Sequence, residues 1–210
     1  WSRVHVFWGD ERCVPPDHAD SNYRMARETL LDHVAIPAGN AHRIRGEAEP
    51  AVAADEYARE LHAVVGNTSP RMDLIFLGMG DDGHTASLFP HSPAIHETTR
   101  WVVAVAHATP PPPLVARVTI TPVVINAARQ VAFLVAGAGK AERLRQVLSE
   151  PYQPDELPSQ IVKPSDGELL WFVDTDAAKY LAVGVEARWS SDHWPTAASA
   201  KASTPNDFFT

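Results

Sequence analysis

The sequence predicts an α/β domain: a mostly parallel sheet with helices on both faces. Three observations carry that expectation. Short apolar runs at residues 4–8, 74–77, 101–105, 131–135 and 169–173 have the length and composition of strands. Segments with apolar residues at helical spacing alternate with them, as in a parallel sheet covered by helices. Several of the runs break at glycine into polar loops, and ligands of open α/β sheets bind at the carboxyl ends of strands.

In chain order, residues 4–8 form a buried strand that stops at Gly9. The stretch 9–20 follows as a charged loop carrying Asp10, Glu11 and Arg12. Asp20 or Ser21 caps a helix in which Ala26, Leu30 and Val34 share a face, and Pro37 and Gly39 stop it. A second helix spans about residues 50–65, with Ala54, Ala58, Leu61 and Val65 on one side. Leu74-Ile75-Phe76-Leu77 reads as a strand buried on both faces. It breaks into Gly78, Gly80 and Gly83, with Asp81, Asp82 and His84 beside them. Residues 85–89 have the length of one helical turn before Pro90.

Strands at 101–105 and 117–120 flank a connection that four prolines, residues 110–113, hold extended. Thr121-Pro122 opens a short helix. Strand 131–135 runs into Gly137-Ala138-Gly139-Lys140 and a helix through Leu148, and strand 169–173 leads to a short helix ending at Leu181. Residues 1–181 therefore read as a single α/β domain. Residues 182–210, rich in Ala, Ser, Thr and Pro, read as a flexible tail on which Trp189 and Trp194 are the docking groups.

Composition narrows the function. The 210 residues are 45% apolar, enough for a core, and no run approaches the length of a membrane-spanning helix. A formal charge of −8 without a basic cluster argues against nucleic acid or an anionic membrane as partner. Cys13 is the only cysteine, so an internal disulfide is impossible and a reducing, cytoplasmic setting is expected. The chain opens at Trp1 almost directly in a strand, which reads as a fragment or a processed chain. Monomer and homodimer are equally compatible with these residues.

The chemistry concentrates in three loops. His84 can take a proton from water, and Asp82 can fix its tautomer. A helical turn after it would keep the imidazole neutral. The alternative is that Asp81 and Asp82 cap a turn and His84 is a surface residue; the residues alone leave both open. Gly137-Ala138-Gly139-Lys140 offers backbone N–H groups, a helix amino end and an ammonium to an anion, or is an ordinary turn with a solvated lysine. Ala141 follows Lys140 where a Walker loop requires Ser or Thr. Arg12 is a phosphate ligand or an ion-pair partner of Asp10 or Glu11. Asn22 and Ser21 bond a sugar hydroxyl or cap a helix. Asp10, Gly80 and Gly83 are further substrate contacts, with backbone N–H groups of the 78–83 turn as oxyanion donors. His5 and His18 have no partner at metal-ligand spacing, His91 reads as loop surface, and no metal or other cofactor is called for.

Together these motifs resemble the 6-phosphogluconolactonase family. The resemblance rests on Gly-Asp-Glu-Arg-Cys-Val-Pro from Gly9 with Asp20-Ser21-Asn22, on residues 77–90, and on Gly137-Ala138-Gly139-Lys140. It runs from about Arg3 to Leu181 and implies a Rossmann-like fold of the sugar-phosphate isomerase/lactonase type. It implies hydrolysis of a phosphorylated sugar lactone, with His84 as base assisted by Asp82, and Arg12 and Lys140 on the phosphate. Related glucosamine-6-phosphate deaminases carry a glutamate before the proline, where this chain has Phe89; that departure favours the lactonase over the deaminase reading. A non-catalytic sugar-phosphate binder is the third alternative. The family places a strand and a Gly-Gly-Ser-Thr type phosphate loop ahead of Asp-Glu-Arg, and the residues ahead of Asp10 in this sequence hold none of it. Cys13 stands where the family usually has a larger apolar residue, and packing is its expected role.

Overall fold

The computed structural model describes residues 1–66 and 68–181; the expected tail, with Trp189 and Trp194, lies outside the described residues. The strands are β1 (Val6–Phe7), β2 (Asp10–Arg12), β3 (Ala41–His42), β4 (Ile75–Leu77), β5 (Val102–Val105), β6 (Arg117–Ile120), β7 (Gln130–Val135) and β8 (Glu168–Val173). The α-helices are α1 (Asn22–Thr29), α2 (Pro50–Val65), α3 (Pro122–Ile125) and α4 (Ala141–Ser149).

The fold is α/β. Parallel pairing joins β1 to β3 and runs through β4–β7–β8, while β2–β6–β5 form an antiparallel sheet. The core is continuous across them: Tyr57 and Leu61 of α2, Val118 and Ile120 of β6, Val131 and Phe133 of β7 and Leu144 of α4 are all buried in it. Among the described residues no helix is long and apolar enough to cross a membrane.

Several local expectations change. Val4 is exposed, and the first strand is confined to β1. Asp10–Arg12 is a strand rather than loop, because pairing with Arg117–Thr119 occupies its backbone while Glu11 finds buried donors for its carboxylate. The first helix ends at Thr29, and Leu30 lies exposed beyond it. β4 is buried on one face only: Phe76 is 62% exposed, and Leu134 of β7 and Phe172 of β8 are exposed with it. The segment after β8 forms turns instead of a helix, since the Asp174 carboxylate accepts from Ala177 N–H and Gly137 N–H.

Helix α2 is fastened to the end of β1 by one hydroxyl. Tyr57, 2% exposed, accepts from Trp8 N–H at 2.7 Å and donates to Trp8 C=O at 2.9 Å. Burial pushes its pKa up, so the hydroxyl keeps its proton. Tyr57→Phe strands a buried donor and acceptor, and is expected to cost about 1–3 kcal/mol of stability, read from the urea midpoint at unchanged slope.

Candidate active site

The site grows from the loop that follows β4. Gly80 N–H donates to His84 C=O (2.8 Å), Gly83 N–H donates to Gly80 C=O (3.0 Å), and Thr85 Oγ1 donates to Gly78 C=O (2.8 Å). Gly83 takes φ +85°, a conformation open to glycine. Gly80 has a different reason to lack a side chain. A Cβ there would overlap His84 Nδ1 and Cε1 and crowd Asp82 Oδ1.

That close approach sets the central pair. Asp82 Oδ1 bonds His84 Nδ1 at 2.6 Å and also accepts from His84 N–H at 3.1 Å. Burial pushes the Asp82 carboxyl up, but the hydrogen bonds and charge of His84 outweigh it and hold its pKa below the ordinary carboxylate value. In the neutral imidazole, an ionised Asp82 requires the proton on Nδ1, so Nε2 carries the lone pair. Among the described residues Nε2 has no hydrogen-bond partner. The ring tilts against Phe89, centroids 4.6 Å apart, and is 21% exposed. It is packed on one side and reachable by water on another.

Residues 85–88 form a turn rather than the expected helical turn. Leu88 N–H returns to Thr85 C=O (2.9 Å) with Ala86 at φ +48°. Ser87 is held from the antiparallel sheet: its N–H donates to Thr119 Oγ1 (3.2 Å) and its hydroxyl to Asp10 Oδ2 (2.6 Å). No helix dipole acts on His84 from this segment; the Asp82 carboxylate fixes its tautomer.

β2 supplies the second part. Glu11, 2% exposed, caps α1 by accepting from Asn22 N–H and Tyr23 N–H, and also accepts from Ser21 Oγ and Arg12 N–H. It is not an ion-pair partner of Arg12. Asn22 donates to Asp10 and accepts from Arg12 Nη1 at 2.7 Å, and Asp20 C=O accepts from the same nitrogen at 2.9 Å. Asp10 and Asn22 thus spend their polar groups on one another, on Arg12 and on Ser87. Ser21 caps α1, accepting from Arg24 N–H.

The turn between β7 and α4 is the third part. Lys140 pairs with Asp81, the neighbour of Asp82. Gly137 N–H, expected to face an anion, is already taken by the Asp174 carboxylate. Two groups brace the β4 loop from behind: Arg143 Nε donates to Asp81 C=O (3.0 Å), and Ser159 donates to Gly83 C=O through N–H and hydroxyl.

A hydrogen-bonded path therefore runs Arg12–Asn22–Asp10–Ser87 into the turn beside His84, while Lys140 joins the same loop through Asp81. Neither cation bonds to His84 itself. Cys13 packs against the core; burial pushes its thiol pKa up and Glu11 adds to this, which argues against a thiolate nucleophile. His5 hydrogen-bonds His42, which bonds Glu60, and His91 is exposed. Among the described residues no three His, Cys, Asp or Glu side chains are placed to hold a metal ion.

Four contributors escaped the sequence reading. Glu11 acts as a cap at a distance, and Ser159 as a brace; neither leaves a local signal. Arg117 and His107 line Phe89, at 5.9 Å (Arg117 Cζ to ring centroid) and 4.0 Å (between ring centroids). A charged residue opening the strand Arg117-Val118-Thr119-Ile120 was the one available clue.

A family model described as glucosamine-6-phosphate isomerases/6-phosphogluconolactonase matches residues 1–171. The chain is 44% identical over 185 residues to a 6-phosphogluconolactonase of Synechocystis, covering 86% of this chain and 75% of that protein. It is 41% identical over 192 residues to a probable chloroplastic 6-phosphogluconolactonase of Oryza sativa subsp. indica, covering 87% of this chain but 58% of the rice protein. The chain thus spans little more than half the length of the rice relative. The crystal structure of a Thermotoga maritima 6-phosphogluconolactonase superposes with a TM-score of 0.72 at 34% identity, covering 82% of this chain and 73% of that one.

Proposed function

The chain belongs to the glucosamine-6-phosphate isomerase/6-phosphogluconolactonase family, and from that premise we propose that it hydrolyses 6-phosphoglucono-1,5-lactone to 6-phosphogluconate. Arg12 and Lys140 hold the phosphate and set the ring carbonyl near His84. Nε2 of His84 takes a proton from water, and the hydroxide attacks the carbonyl carbon. As the ring C–O bond breaks, the imidazolium returns that proton to the leaving oxygen. Asp82 keeps the imidazole in the required tautomer and stabilises its charged form. Gly80 leaves the room in which the dyad packs, since a Cβ there would overlap the imidazole. The reaction consumes water and its lactone, with no other reactant.

The observation that carries this reading is the Asp82–His84 bond at 2.6 Å with Nε2 unpartnered on the open side. Phe89, packed against the imidazole, brings no carboxylate to the ring-opening position, which favours a lactone over an amino sugar phosphate as substrate. The free thiol of Cys13 suits a reducing compartment such as the cytoplasm. The test is a pair of assays on the chain: 6-phosphogluconate formed from the lactone, and ammonia released from glucosamine 6-phosphate. Lactone opening well above the spontaneous rate, without ammonia, is expected. Ammonia release alone would move the chain to the deaminase side of its family, and 6-phosphogluconate binding without turnover would make it a binding module.

A further inference from the structure

Arg117 is 4% exposed at the start of β6. Its register partner across the antiparallel pair is Arg12, so the two side chains leave the same face of the sheet. Like charges placed directly opposite repel. Among the described residues neither guanidinium has a carboxylate within the 4.0 Å of an ion pair. Burial lowers the Arg117 pKa, and the nearby charge of Arg12 lowers it further.

Both arginines are anchored in a way that leaves donors over. Arg117 Nε donates to Val115 C=O (3.2 Å) and Nη2 to Pro113 C=O (2.9 Å). The guanidinium lies against Phe89, the ring that also packs on His84. Its Nη1 is unbonded yet still touched by solvent. On Arg12, Nη1 is committed to Asp20 and Asn22, Nε is buried without a partner, and Nη2 is unbonded. A dianionic group set between them would relieve the repulsion and accept the spare N–H groups.

We propose that Arg117 is a second phosphate-binding guanidinium, gripping with Arg12 the phosphate of the sugar-phosphate substrate; this rests on the function proposed above. The other anion in the reaction is at the lactone carbon, where the oxyanion and then the product carboxylate form. Calorimetry on the full chain with 6-phosphogluconate, inorganic phosphate and gluconate separates the two ends. Arg117→Met is expected to weaken 6-phosphogluconate and inorganic phosphate by about tenfold or more, leave gluconate unaffected, and raise KM more than it lowers kcat. Arg12→Met combined with it should lose less than the product of the single losses, since both act on one group. Arg117→Lys, which keeps the charge but not the planar fork, covers the case in which the Met variant does not fold; it is expected to weaken inorganic phosphate severalfold.

A folded variant with full phosphate affinity overturns the proposal. So does a loss confined to kcat with product affinity unchanged, or an unaltered chain that binds no phosphate ligand. Phosphate binding that depends on Arg117 in a chain that never opens the lactone would leave this inference standing and end the lactonase reading. An active lactonase indifferent to Arg117 does the reverse.

Discussion

His84→Ala is expected to lower lactone turnover by about two to four orders of magnitude while leaving 6-phosphogluconate affinity nearly unchanged. The reason is the division of labour in the ring. Nδ1 is committed to Asp82 at 2.6 Å, and Nε2 is the basic atom left without a protein partner. Removing the imidazole removes the proton acceptor but none of the groups proposed to hold the phosphate. The loss should therefore fall on kcat, with KM little changed, in a coupled assay of 6-phosphogluconate formation. Near-normal turnover in a folded variant would reject His84 as the base.

Gly80→Ala is expected to lower kcat by about a hundredfold, the typical result of misplacing a base by an ångström. The added methyl overlaps the imidazole and crowds the Asp82 oxygen, so the dyad must swing out of register. Space on the open side of the ring lets it move without unfolding the domain. Circular dichroism should match the unaltered chain, and the product should still bind. A variant of unchanged kcat would show that this orientation of the imidazole does not matter to the reaction.

Much of this was readable from residue order, and what was not has a common cause. α2 runs over Pro50–Val65 as its apolar spacing predicts, and the apolar runs of β7 and β8 pair in parallel. Local chemistry also foretold Ser21 as a cap. The misreadings around the site involve partners distant in sequence. Asp10–Arg12 became a strand because β6, more than a hundred residues later, supplies its ladder. Residues 85–88 turned rather than coiled because Asp10 and Thr119 hold Ser87. The same holds for Glu11, whose carboxylate looked like a counter-ion and is a cap for the next helix. Within the site, the Asp82–His84 pair was visible because two residues of separation fix it, whereas the facing of Arg12 and Arg117 needed the sheet register.

The Ser87–Asp10 bond joins the strand that carries Arg12 to the turn that carries His84. In the proposed function, an anion on Arg12 sits at one end of a chain of hydrogen bonds that runs through Asn22 and Asp10 to the turn next to His84. Under that reading, a serine hydroxyl ties the strand that grips one end of the substrate to the turn beside the base that works on the other.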